Sequence, residues 1–243
     1  MKIAHTILFL FFPLALIGVS GHAIAVTPAP VIREAALQKV DRPKEEARRS
    51  GAALCRRAYD QYERGRTCGD ERERAAYYRR AEQFAQQAIH VDPHGDEGYK
   101  WLAVVLGAQA ENANVKTQIQ LSRQVKENIE KALSLDSDDD ISLLVLSRWH
   151  YKVALLKPWT KAIVRLVYGG FPPASLEKAE NLLVRAIANK DRIAHRYSLA
   201  KVYQSMGRRE AALYQLRLAL TLPVTFPAEA DDLIKVRRKL DTW

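Results

Sequence analysis

Basic and phenolic side chains recur in this chain at fixed offsets from a Leu-small pair. Around Leu199 stand Tyr197, Lys201, Gln204 and Ser205; around Leu146 stand Arg148, Tyr151 and Lys152; two residues before Leu102 stands Lys100. Positions two before, two after, five after and six after the leucine share one side of a helix, because the helical period brings them together. Ammonium and guanidinium groups flanked by tyrosines can make charge-assisted hydrogen bonds to a carboxylate. Lys100, Arg148, Tyr151, Lys152, Tyr197, Lys201 and Gln204 are therefore the candidate binding residues. The expected partner is a protein with an acidic or carboxylate-bearing segment. The competing reading is that inserts cover this face and leave the same side chains packed or solvated.

Other chemistry is sparse. The chain has no Gly-rich phosphate loop, G-x-S-x-G, H-E-x-x-H or C-x-x-C pattern, so neither an enzyme nor a cofactor is expected. His150 and His195 fall within apolar helical patterns and read as packed structural residues. Asp136, Asp138, Asp139 and Asp140 suggest calcium, but the loop lacks the Gly and Glu of an EF-hand. They precede a helix, where acids suit the N-terminal dipole, and are read as caps with no metal site. Cys55 and Cys68 are the two cysteines. Export would allow a disulfide between them, whereas a continuous helix after Cys55 would hold them apart.

The elements that must position these groups are helical hairpins. Leu199-Ala200, Tyr203, Gly207, Ala212, Leu216, Ala219 and Pro223 have the spacing of a tetratricopeptide-type (TPR) unit. Small residues let helices approach, and Gly207 supplies the turn. The second half of the pattern recurs at Ala81, Ala85, Ala88 and Pro93, after a first helix over Glu45 to Arg64 and a turn bracketed by Gly65 and Gly69. Leu102-Ala103 opens a second hairpin with both helices lengthened. Leu146-Ser147 opens a third, interrupted by an insert around Pro158 to Pro173. Within it, Trp159 to Tyr168 is a short helix with Lys161 and Arg165 beside apolar residues. It reads either as a lipid-contacting amphipathic stretch or, as its length favours, as an extra core-packing helix. Ala228 to Leu240 would cap the array.

Strand signals are sparse, with no sustained alternating run, and helix formers dominate. The expectation is an all-α chain, a TPR-like right-handed superhelix of antiparallel hairpins with a C-terminal capping helix. Lys2, the apolar run from Ile7 to Val19 and Ala23-Ile24-Ala25 read as a cleavable secretory leader over residues 1–25. A Pro-bearing linker with a marginal helix is expected over 26–43, and the repeat domain over 44–243. The formal charge of +10, on an exported periplasmic chain, reads first as a generic solvated surface and otherwise as suited to anionic envelope partners, not nucleic acid. Contact with anionic lipid and association with the membrane are included.

Three segments carry a family resemblance. Tyr99-Lys100-Trp101-Leu102-Ala103, the run Leu146 to Ala154, and Phe171-Pro172-Pro173-Ala174-Ser175-Leu176 resemble the regulator of microtubule dynamics family. The resemblance extends over roughly Ala81 to Leu240. Ser147 stands where a Gly is usual, and no Pro lies near Ser137 or Asp191. The resemblance implies a TPR-like interaction scaffold, with membrane or cytoskeletal association in eukaryotic members, and carries over no catalytic residue. A secretory leader directs the expectation to a non-catalytic scaffold for protein–protein interaction in the envelope. The alternative is a lipid or amphiphile carrier with an apolar cavity between the long helices.

Overall fold

A computed structural model describes residues 29–242, with side chains from Arg42 onward. The leader expected over residues 1–25 lies outside the described residues. Of the described residues, those up to Asp41 fall in one unit and those from Arg42 in another. Among the described residues there are ten α-helices and no strand. These are α1 (Ala29–Thr67), α2 (Glu71–Val91), α3 (Asp96–Glu111), α4 (Val115–Leu135), α5 (Asp140–Ala154), α6 (Pro158–Tyr168), α7 (Leu176–Asn189), α8 (Ile193–Ser205), α9 (Arg209–Thr221) and α10 (Pro227–Asp241).

The helices pair as TPR-like hairpins: α3 with α4, α5 with α7, and α8 with α9, each stacked on the next, with α10 against α8 and α9. The small residues of the repeat lie at the helix crossings. Ala81, Ala85, Ala103, Ala132, Ala179, Ala186, Ala212 and Ala219 are all fully buried. Ser147 fills such a position at 1 % exposure. Its Oγ donates to the Leu144 carbonyl at 2.7 Å, so the departure from Gly adds no unsatisfied hydroxyl. The longer second hairpin has two lengthened helices, as expected. The insert in the third is α6, begun by Pro158 in its first turn and ended by Gly169 at φ 74°, where only a left-handed residue closes the helix.

The caps explain why the helices start where they do. Asp70, Asn114, Asp139 and Ser175 each accept a hydrogen bond from the backbone N–H three residues on, which satisfies an orphan donor of the first turn. Asp139 is thus a cap, as its place before the helix predicted.

The N-terminal reading changes in three ways. The expected linker is helical from Ala29: α1 is a single helix of 39 residues with Pro43 inside it. Pro43 removes one backbone bond, at a cost of ~3 kcal/mol in a helix interior. The Glu-, Ala- and Arg-rich sequence on both sides offsets that cost, helped by pairs from Glu45 to Arg48 and Arg49. Gly65 lies in the last turn of α1 and not in the loop. A Cβ there would come within 2.6 Å of the Tyr78 ring, so Gly is what allows α1 to cross α2 closely. Finally, Cys55 and Cys68 are both free. The unbroken helix after Cys55 separates them by about 18 Å at 1.5 Å per residue, beyond the ~7 Å a disulfide spans.

Candidate functional site

The first helices of the third and fourth hairpins, α5 and α8, bring most of the candidate residues together. Arg148, Tyr151 and Ser147 from α5 and Ser198, Lys201 and Val202 from α8 line a cleft of about 20 Å³, together with Leu183 of α7. The Lys201 ammonium lies 5.0 Å from the Tyr151 ring centre and 5.9 Å from that of Tyr197. Cation–π attraction thus holds it between two phenol faces. Arg148 Nε donates to Ser198 Oγ at 3.3 Å, which fixes one edge of the guanidinium. Ser205 Oγ donates to Tyr151 Oη at 3.3 Å. Tyr62 of α1 is near enough for Arg148 to act on its hydroxyl, although burial dominates and pushes that phenol up to about 12.

The charge balance here is one-sided. Among the described residues, no carboxylate lies within ion-pair distance of Arg148 or Lys201. The Lys201 ammonium is held below the ordinary lysine range, first by burial and then by Arg148, Lys152 and Lys235. Asp232 acts in the opposite direction, but its Oδ1 already accepts from Lys235 Nζ at 2.9 Å. Lys152 pairs with Glu111 at 3.3 Å, yet both side chains are about two-thirds exposed, where such a pair contributes little. Lys201, partly buried beside the exposed Arg148, carries a charge that its surroundings disfavour, and a nearby carboxylate would favour that charge.

Two expected members stand elsewhere. Lys100 is 6 % exposed, and its Nζ donates to Asp139 Oδ1 at 2.9 Å, with Glu97 and Asp96 at 3.5 and 3.7 Å. Burial opposes its charge, but these carboxylates outweigh burial and raise its pKa. Lys100 is therefore a structural tie from α3 to the cap of α5 and not a groove group. The offset from Leu102 was right, but it placed Lys100 in the first turns of α3, where an acid from the next hairpin reaches it. Gln204 is exposed and borders a separate hollow with Gly207, Arg209 and Thr242.

Asp139 and its neighbour Asp140 serve opposite sides. Asp139 takes Lys100 from the preceding hairpin, and Asp140 takes Arg192 from the following one. His195 Nε2 lies 3.4 Å from the same Asp140 carboxylate, while its Nδ1 meets the Lys190 carbonyl at 2.8 Å. Burial lowers the His195 pKa, so this imidazole is a packed structural group, as its sequence context indicated.

Sequence reasoning missed Tyr62, Ser198 and the pair formed by Arg66 of α1 and Asp231 of α10. Ser198 sits beside the Leu-small pair at an offset not assigned to the groove. Arg66 and Asp231 are partners from opposite ends of the array, and no local pattern marks them.

Comparison with known proteins agrees with this architecture. The family model described as Regulator of microtubule dynamics protein 1-3 matches residues 31–242. Regulator of microtubule dynamics protein 3 of Xenopus laevis is 28% identical over 156 residues, covering 63% of this chain and 34% of that protein. Regulator of microtubule dynamics protein 1 of Homo sapiens is 24% identical over 172 residues, covering 70% of this chain and 54% of that one. The chain thus spans about a third to about half of these relatives' lengths. A thermophilic TPR protein of Thermus thermophilus superposes with a TM-score of 0.51 at 20% identity, covering 87% of this chain and 97% of that one. That likeness shows the fold.

Proposed function

This chain belongs to the regulator of microtubule dynamics family, and from that premise and the α5–α8 geometry we propose that it is a non-catalytic scaffold that docks an acidic segment of a protein partner in the cell envelope. The observation that carries the reading is Lys201, half-buried between Tyr151 and Tyr197 beside Arg148, with no carboxylate among the described residues at ion-pair distance from either cation. A carboxylate entering this face meets an ammonium, a guanidinium edge and two aromatic faces. That combination suits an acidic residue next to an apolar one. TPR-like stacks offer the faces of their first helices for such contacts. Residues 1–25 support the envelope assignment by their leader pattern.

The carrier alternative requires a cavity able to enclose an acyl chain. The cleft at this cluster, about 20 Å³, has room for a water molecule and is far below the ~300 Å³ of a small ligand pocket; the hollow beside Gln204, about 310 Å³, is open and bordered by Gln204, Gly207, Arg209 and Thr242, not an apolar space between the long helices. The protein-docking reading is preferred on that ground.

The test is affinity capture from envelope extract with the mature chain and with an Arg148→Glu, Lys201→Glu double variant, scored by mass spectrometry of proteins and lipids. We expect a protein partner that is retained by the parent chain and lost from the double variant. A stoichiometric lipid with no protein partner would reverse the choice. Cell fractionation and N-terminal sequencing of the mature chain test the location.

A further inference from the structure

Helix α6 leaves its apolar side uncovered. Among the described large apolar side chains of α6 only Val164 is buried, at 3 % exposure, while Trp159 is 61 % exposed, Ile163 51 %, Leu166 87 % and Val167 59 %. These four share one side of the helix at helical spacing. The core-packing role favoured from length alone is thus carried by Val164, and the rest of the apolar surface faces outward. The helix is nevertheless firmly seated. Lys161 Nζ donates to the Ala154 carbonyl at the end of α5, at 2.8 Å, and Arg123 donates to the Gly170 carbonyl just past α6, at 2.8 Å. Phe171 packs edge-on against buried Trp149. The exposed face is therefore presented on a fixed support and needs no folding on contact.

Charge identifies what such a face fits. Lys157, Lys161 and Arg165 are exposed on and beside α6, and no Asp or Glu occurs anywhere from Ile141 to Leu176. A second copy would bring its own cations against these, on a chain whose formal charge is already +10. An anionic bilayer surface presents the opposite sign together with an apolar interior. With 11 residues, α6 is about 17 Å long at 1.5 Å per residue, too short to cross ~30 Å of hydrocarbon, but suited to lie in the headgroup layer with a Trp at the interface. We propose that the Trp159–Ile163–Leu166–Val167 face of α6 is a docking surface for an anionic membrane. It is a separate site from the α5–α8 cluster and does not depend on that cluster binding a protein.

The test uses the full chain with vesicles of phosphatidylcholine alone and of phosphatidylcholine with phosphatidylglycerol, each prepared with brominated acyl chains as quenchers. We expect binding to the anionic vesicles, quenching of tryptophan emission that Trp159→Phe removes, and at least about a ten-fold loss of binding in Ile163→Asp plus Leu166→Asp. Both of the latter sites are exposed, so circular dichroism should be unchanged. A vesicle-bound chain whose Trp159 is not quenched would overturn the proposal, as would equal binding of the double variant. Self-association in sedimentation that the double variant abolishes, without vesicle binding, would overturn it in favour of an interface between copies.

Discussion

Arg66, in the last turn of α1, forms an ion pair with Asp231 in α10. The first and last helices of the array thus meet, although a stacked repeat needs contact only between neighbours. Arg66 is also held by Glu63 at 2.8 Å. Asp231→Asn should therefore lower stability by no more than about 1 kcal/mol, since the Asp231 side chain is half-exposed. Its distinct effect should be faster amide exchange in α10, with the core helices α3 to α5 unchanged. Equal exchange rates in the two proteins would show that the pair does not hold the ends together.

Lys100→Ala should destabilise the fold by about 3 kcal/mol, because it leaves Asp139 charged and mostly buried beside Asp96 and Glu97. Binding to the α5–α8 cluster should persist at temperatures where the variant is folded. Chemical denaturation together with a capture assay checks both parts.

Lys201→Met should keep or raise thermal stability while abolishing capture of the acidic partner. The sign follows from linkage. A lysine whose folded pKa lies below its unfolded value disfavours the fold while charged in both states. Stability from this residue should therefore rise with pH through the interval from its lowered folded pKa up to the ordinary lysine value near 10.5. The Met variant should lack that rise. Melting curves from pH 7 to pH 10 for the two proteins test it, and a large drop in melting temperature at pH 7 would contradict the electrostatic reading.

Gly65→Ala should cost about 1–3 kcal/mol, because the new Cβ would overlap the Tyr78 ring at 2.6 Å. Gly69→Ala is the control: a Cβ there meets nothing within 4 Å. Comparable melting temperatures for the two variants would mean that Tyr78 yields without penalty.

The hairpins were legible because their determinants are local. Leu199, Ala200, Gly207, Ala212 and Pro223 lie within one unit, and each side chain acts on its immediate neighbours. Offsets from those leucines also brought Arg148, Tyr151, Tyr197 and Lys201 together, since helical period alone puts them on one side. Lys100 followed the same rule and ended in an ion pair, because its partner Asp139 arrives from the next hairpin. Arg66 and Asp231 are farther apart still, and their meeting depends on the curvature of the whole stack. For α6, periodicity defined an apolar face at Trp159 and Leu166, but what covers a face is set by the neighbouring elements. For Cys55 and Cys68 the sequence left two readings open, and the continuous-helix reading holds, because α1 runs on to Thr67 and both thiols are free.

Asp139 and Asp140 fasten the starts of α3, α5 and α8 to one another through Lys100 on one side and Arg192 on the other. These helices are pinned near their N-terminal ends, like the ribs of a fan held at the rivet. The softest deformation of such an arrangement is a splaying of the far ends, where Tyr151, Lys152 and Lys201 sit. What joins those far ends is weaker than the buried N-terminal pairs: Ser205 Oγ donating to Tyr151 Oη at 3.3 Å, and the exposed pair of Lys152 with Glu111. On the proposed reading, an acidic segment would enter at the end that yields most easily, leaving the repeat packing intact.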